Sequence, residues 1–203
     1  NTSKVGFNST TGTANSVNVS YNSLYTANEF TISFWLKSTN SSKYGSSNYF
    51  LKNFTTDEQN GWGLYFGFGA GTTFTVSVVL KNAGQSTTIT SNQIIEIDNA
   101  ITSVNCVWSH IIVTYKSNDL KLYLNKELQT QSFSVNYNPS NNTSNVLKIG
   151  NQKLDGLIYD FRYLDKVVDY RQLEQLYDGK NLHHENLRIP FIHALEHIYS
   201  LTN

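Results

Sequence analysis

Residues 108–133 read WSHIIVTYKSNDLKLYLNKELQTQSF. Ile111, Val113 and Tyr115 alternate with His110, Ile112 and Thr114, a period of two that sends the two sets to opposite faces of a strand. Ser117-Asn118-Asp119 is a run of turn formers, and the alternation resumes at Leu120. The stretch predicts a β-hairpin: one strand over Trp108–Lys116, and a return strand over Leu120–Phe133. It also sets a question of chemistry. His110, two residues after Trp108, is either a reactive group or part of the packing of a sheet.

The same grammar extends outward. In EFTISFWLKS (29–38), Phe30, Ile32, Phe34 and Leu36 point one way, and Thr31, Ser33, Trp35 and Lys37 the other. SVNVSYN (16–22) is expected as an edge strand. STNSSKYGSSN (38–48) is a loop, YFLKNF (49–54) a strand and TTDEQNG (55–61) a turn. WGLYFGFG and FTVSVVLKN form a hairpin around Ala70–Gly71, followed by shorter strands in STTITSN and QIIEID. YNPSNNTSN (137–145) is a loop, and VLKIGN and LDGLIYDFRYLDK close the series. The period then changes. Asp169 is placed to cap a helix YRQLEQLYDG, with Gln172 at its third position, Gly179 as its stop, and an apolar stripe of Leu173, Leu176 and Tyr177. A second helix is expected near Pro190, with Phe191, Ile192, Leu195, Ile198 and Tyr199 on one face.

Composition narrows the partners. The chain has 203 residues, enough for one large all-β domain whose core needs no disulfide. Charged residues make up 15% and the formal net charge is zero, so the polar surface must come from Asn, Ser and Thr. No basic excess exists to neutralise phosphates, which sets nucleic acid aside as a partner. No apolar run reaches the length of a membrane span. Cys106, the single cysteine, reads as a small buried hydrophobe within NCVWSHIIV. The lack of any Met suggests a processed product or a domain of a longer protein. Glycosylation triplets occur at Asn1, Asn8, Asn18, Asn40, Asn53, Asn141 and Asn142, in a chain so rich in Asn, Ser and Thr that chance supplies most of them.

Four ordered blocks carry a resemblance: FTISFWLK (30–37), GWGL (61–64), the 108–128 hairpin, and LKIG…GLIYDFRY followed by EQLYDG (147–179). Together they resemble the laminin-G-like jelly roll of the concanavalin A-like lectin/glucanase superfamily over most of Ser16–Lys180. The receptor-binding jelly roll of clostridial neurotoxins is similar as well. The resemblance implies an all-β, two-sheet antiparallel β-sandwich with a short C-terminal helical segment. It divides the chain into a jelly roll (1–180) and a helical linker or start of a following domain (181–203). It also implies that Trp108-x-His110 lies on a central strand, where the expected role of His110 is a packed, hydrogen-bonded one.

Four features of the chain bear on its chemistry. Glu96 and Asp98 fit the first two positions of the glucanase pattern E-x-D-x-x-E, but Ile101 stands where the acid/base glutamate belongs. HALEH (193–197) matches H-x-x-E-H, with His183, His184 and Glu185 nearby, and reads as a polar helix face. Calcium is the one cofactor the resemblance brings up, with Asp160 as its ligand; Tyr159 stands where the family carries a second acidic residue. Asp57, Glu58, Asp119 and Asp155 are further oxygen donors that do not converge in sequence. Ligand binding is expected on exposed aromatics beside polar groups, because sugars stack their C–H faces on rings and give their hydroxyls to amides and carboxylates. The candidates are Trp35, with Thr31, Ser33 and Lys37; Tyr123, with Lys121 and Asn125; the pair Asp160 and Arg162; and Trp62, with Tyr44 and Tyr49 as further loop aromatics. The expected function is a non-catalytic module recognising glycans or glycoprotein surfaces, extracellular or surface-exposed, beside neighbouring domains of a longer chain. The alternatives are a structural or assembly domain of a toxin, adhesin or virion protein, and a divergent glycoside hydrolase.

Overall fold

The computed structural model describes residues 4–7, 16–38, 48–67, 73–93, 95–96, 108–138, 145–150, 154 and 156–178. The strands, in chain order, are β1 (Lys4–Phe7), β2 (Val17–Val19), β3 (Glu29–Ser38), β4 (Tyr49–Phe54), β5 (Gly61–Gly67), β6 (Thr73–Asn82) and β7 (Gln85–Thr90). They continue with β8 (Ile95–Glu96), β9 (Ser109–Lys116), β10 (Asp119–Leu124), β11 (Glu127–Ser132), β12 (Leu147–Ile149) and β13 (Gly156–Leu164). A helix follows, α1 (Tyr170–Tyr177). The strands form two antiparallel sheets. The first runs β1-β13-β3-β9-β10-β11; the second runs β2-β12-β4-β5-β6-β7, with β8 pairing the start of β6. Strands from the beginning, middle and end of the chain lie side by side in each sheet, as a jelly roll requires.

The core is the set of inward side chains of both layers. Phe30, Ile32, Phe34 and Leu36 of β3 meet Ile111, Val113 and Tyr115 of β9, and from the other sheet Phe50, Leu51, Trp62, Leu64 and Phe66. The ring of Phe30 stacks 5.7 Å from Tyr163 and 6.3 Å from Trp62, tying the layers together. Each such ring removed from water stabilises the fold by about 1.5–3 kcal/mol.

Turn chemistry fixes the register. Ala83-Gly84, Ser117-Asn118 and Asn125-Lys126 all have positive φ at both central residues. That is the backbone of a type I′ turn, whose twist matches the flanking strands. The last of these corrects the reading of Leu120–Phe133 as one strand. Asn125-Lys126 splits it into β10 and β11, and Asn125 closes the β9 end by donating its N–H to the His110 carbonyl (2.9 Å) and accepting the His110 N–H on its side chain (2.8 Å). At Gly61 (φ 126°) a Cβ would lie 2.0 Å from the Asn53 carbonyl oxygen, so only glycine lets β5 approach β4 there.

The helix is capped as its sequence predicts. The Asp169 carboxylate accepts the Gln172 N–H (2.8 Å), and the Gln172 side chain returns to the Asp169 N–H (3.0 Å). The Thr31 hydroxyl on β3 tethers the approach to the helix, donating to the Lys166 carbonyl (2.7 Å) and accepting the Val168 N–H (3.2 Å). Gly179, the Pro190 helix and the 181–203 segment lie outside the described residues.

Candidate functional site

The outer face of the first sheet gathers most of the residues picked from the sequence. Register places Arg162, Ser33, Ile112 and Tyr123 in one cross-strand row, and Tyr159, Trp35 and His110 in the next. A bulge in β13 between Tyr159 and Arg162, with Asp160 at φ 51°, turns Asp160 toward Arg162 on that face. Trp35, Tyr123, Asp160 and Arg162 thus share one surface, on which Arg162 is buried and the other three are half-buried. Leu173 and Leu176 of α1 bury against Ile112, Leu164 and Val168, with Tyr123 packed at the margin. The Tyr177 ring lies 5.1 Å from Trp35 and 5.6 Å from His110, and Lys126 Nζ sits over it, 4.3 Å from its centre.

His110 is sealed beneath this cover at 1% exposure. Its ring stacks on Trp35 at 4.8 Å, and its Nε2 shares a 2.9 Å hydrogen bond with the Ser33 hydroxyl. This serine–histidine contact joins residues 77 apart and was invisible to the sequence, since only the β3–β9 register creates it. Its geometry is that of a nucleophile and base, but the rest of a relay is missing. Nδ1 has no hydrogen-bond partner among the described residues, so no carboxylate orients the ring. Ser33 is itself 1% exposed, leaving no approach for a substrate. Burial, then the positive charge of Arg162, pulls the His110 pKa down to about 3, so the ring stays neutral. His110 is a packed, hydrogen-bonded sheet residue.

Asp160 does not fit a calcium ion. Arg162 donates Nε to one carboxylate oxygen (2.8 Å) and Nη2 to the other (2.7 Å), a bidentate fork that already neutralises the charge. Calcium seeks six to eight oxygen ligands. Among the described residues no three acidic, histidine or cysteine side chains converge on a point.

Trp62 requires a correction as a ligand-binding candidate. Its strand, β5, sends the indole inward, where it is 1% exposed against Phe30 and Tyr163 and offers no stacking face to a ligand. Tyr49 is also covered, by Phe54 and Tyr65. Tyr44, Asp98, Ile101, Cys106, Asp155 and the histidines of 183–197 lie outside the described residues, as does the Glu96 side chain.

The outer face of the second sheet carries a cleft that the sequence reading did not assemble. It encloses about 190 Å³ and is lined by Lys52, Phe54, Thr55, Thr56, Glu58, Val146 and Lys148. β4 supplies Lys52 and Phe54, the turn after it supplies Thr55, Thr56 and Glu58, and β12 with its lead-in supplies Val146 and Lys148. Gly63 lets the floor form, since a Cβ there would meet the Tyr49 and Phe54 rings at 2.7 and 2.8 Å. Glu58, at φ 54°, folds back to accept a 2.6 Å hydrogen bond from Lys52. That bond and the charges of Lys52, Lys81 and Lys148 hold its carboxyl below the usual range.

Residues 11–172 match a family model described as the concanavalin A-like lectin/glucanases superfamily. No curated protein matches the chain in sequence. Among solved structures it is similar to the native heptameric SAP-like pentraxin of Limulus polyphemus, with TM-score 0.59 and 14% identity over 80% of this chain and 76% of that one. It is similar to the binding domain of Paraclostridial Mosquitocidal Protein 1, with TM-score 0.56 and 19% identity over 88% of this chain and 43% of that one. It is also similar to the binding domain of botulinum neurotoxin DC, solved in complex with SialylT, with TM-score 0.53 and 20% identity over 81% and 39%. The chain therefore spans about two fifths of each toxin binding domain, and at these identities the likeness is one of fold. With the family match running through both sheets and into α1, the chain belongs to the concanavalin A-like lectin/glucanase superfamily as a laminin-G-type jelly roll.

Proposed function

We propose that this jelly roll is a non-catalytic recognition module for glycans or glycoprotein surfaces, working at the cell exterior as part of a larger protein. One observation carries the reading: the cleft on the second sheet, which sets an apolar wall (Phe54, Val146) beside a hydroxyl (Thr56) and charged heads (Lys52, Glu58, Lys148) on a strand framework. That mixture suits a sugar, whose ring has apolar faces and a polar rim. The burial of Ser33 and His110 supports recognition over turnover. The toxin neighbours named as binding domains, one of them holding SialylT, agree with it. In this reading Trp35 and Tyr123 seat α1, Asp160 and Arg162 pair with each other, and none of the four is a ligand contact.

The test is a glycan array probed with the full chain, followed by mapping of any binder through amide shift changes. Binding that perturbs residues 52–58 and 146–148 supports the reading. Release of reducing sugar from any array member refutes its non-catalytic part. A second reading, a structural or assembly domain, is favoured by the apolar side chains of Phe133, 71% exposed, and Leu128, 50% exposed, beside the edge strand β11. An array with no binder, together with docking of a neighbouring domain onto Phe133, would select it.

A further inference from the structure

The charges of the cleft single out a class of ligand. Lys52 and Lys148 are direct partners in the β4–β12 register, so two like charges face each other across one strand gap. Such a pair destabilises a sheet unless something offsets it. Glu58 offsets part: it bonds Lys52 at 2.6 Å and feels Lys81 and Lys148 as well. The charges of three lysines thus act on one carboxylate, which touches only Lys52. Lys81 lies over the Phe54 ring at 4.9 Å, and among the described residues no ion pair neutralises Lys81 or Lys148. Asp57, in the same turn, is engaged by the Thr55 hydroxyl (2.5 Å) and the Gln59 N–H (3.1 Å). The whole chain has zero formal net charge, so this local excess is a feature of placement and not of composition.

Resting on the recognition reading above, we infer that the cleft selects an anionic sugar, one bearing a carboxylate or a sulfate ester. The acid group sits against Lys148 and the Lys52 side of the Lys52–Glu58 pair. The sugar ring lies against Phe54 and Val146, and Thr56 stands at the rim for its hydroxyls. The cleft, at about 190 Å³, is smaller than the ~300 Å³ at which pockets begin to enclose a drug-sized ligand. It holds one charged sugar unit and leaves the rest of the glycan outside. Binding there removes the repulsion between Lys52 and Lys148, so the ligand completes a charge balance that the protein leaves open.

The test titrates the full chain with 3′-sialyllactose, lactose 3′-sulfate and unmodified lactose, following amide shifts. The expected result is that at least one anionic sugar binds more tightly than lactose, with shifts at residues 52–58 and 146–148; the stronger of the two names the acid. Lys148→Glu should weaken that binding about five- to tenfold or more, the worth of one charge contact near 4 Å at a wet surface. Lys126→Glu, on the opposite sheet, should leave it unchanged. Lys148→Glu also replaces a repulsive pair by an attractive one, so its urea midpoint should hold or rise while binding falls, which separates lost recognition from lost folding. Equal binding of lactose, or indifference to Lys148→Glu, overturns the inference. Neutral glycans that bind elsewhere on the surface overturn it too, while leaving the recognition reading intact.

Discussion

Mild acid should cost this fold a predictable amount through one residue. His110 has an unperturbed pKa of 6.5 and, in the folded chain, one of about 3, with burial as the main cause and the Arg162 charge second. It is 1% exposed between Trp35 and Tyr177, bonded to Ser33. Among the described residues the charge bearing on its pKa is that of Arg162, which is itself paired with Asp160. The folded pKa is depressed, so the unfolded chain binds the proton first. Stability is therefore intact above pH 6.5 and falls as pH drops from 6.5 toward 3, at about 1.4 kcal/mol per pH unit. Between pH 7.5 and 5 the loss comes to about 2 kcal/mol.

Urea unfolding of the native chain and His110→Gln, followed by tryptophan fluorescence at pH 7.5, 6.5, 5.5 and 5, isolates this term. The glutamine carries no titrating group and keeps a hydrogen-bond donor for Ser33. Carboxylates and the remaining histidines are common to both proteins and cancel in the difference. The gap between the two stabilities should be flat above pH 7 and then shift by about 2 kcal/mol against the native chain by pH 5. Parallel curves would refute the reasoning, as would an imidazole that titrates near 6.5 in the folded protein by NMR.

Three further outcomes follow from packing. Leu176→Ala opens the contact with Ile112, Leu164 and Val168, and should cost about 2–5 kcal/mol in chemical denaturation and raise acrylamide quenching of Trp35. Gly63→Ala pushes a methyl into the Tyr49 and Phe54 rings, and should cost about 1–3 kcal/mol while shifting the amides of the cleft. Asn53, although it stands in a glycosylation triplet, is fully buried and bonded through its oxygens to Asn145, whereas Asn18 is exposed. Folded protein secreted from a glycosylating host should therefore carry no glycan at Asn53, which enzymatic deglycosylation in heavy-oxygen water and peptide mass analysis would check.

The layers and the helix were legible because each rests on a local rule. Phe30, Ile32, Phe34 and Leu36 alternate, and all four lie in the core. Asp169 and Gln172 spell a capping box and form one. The Asn125-Lys126 turn escaped notice because it lacks glycine, the usual sign of positive φ at a second turn position. Trp62 was misplaced for a related reason. It follows Gly61 at the end of a polar turn, which looks like a loop tip, but strand pairing with Asn53 sends it inward.

Alternation in a strand says that two faces exist, not which one meets water. Thr31, Ser33 and Lys37 look like a solvent face, yet they are 0%, 1% and 8% exposed. A clue was present. The stripe of Leu173 and Leu176 had to bury against something, and Ile112 and Leu164 are large aliphatic side chains on the outward face of the first sheet. Matching stripe to patch puts α1 over Trp35 and His110 and makes that face the seat of a helix. The cleft carried no such clue. Lys52 and Lys148 stand 96 positions apart in number, and only the β4–β12 register makes them neighbours. Charge in this chain balances to zero when summed along the sequence, so the excess that marks a binding surface arises only when folding sorts it. A recognition site built in this way is legible from pairing, strand by strand, before it is legible from any motif.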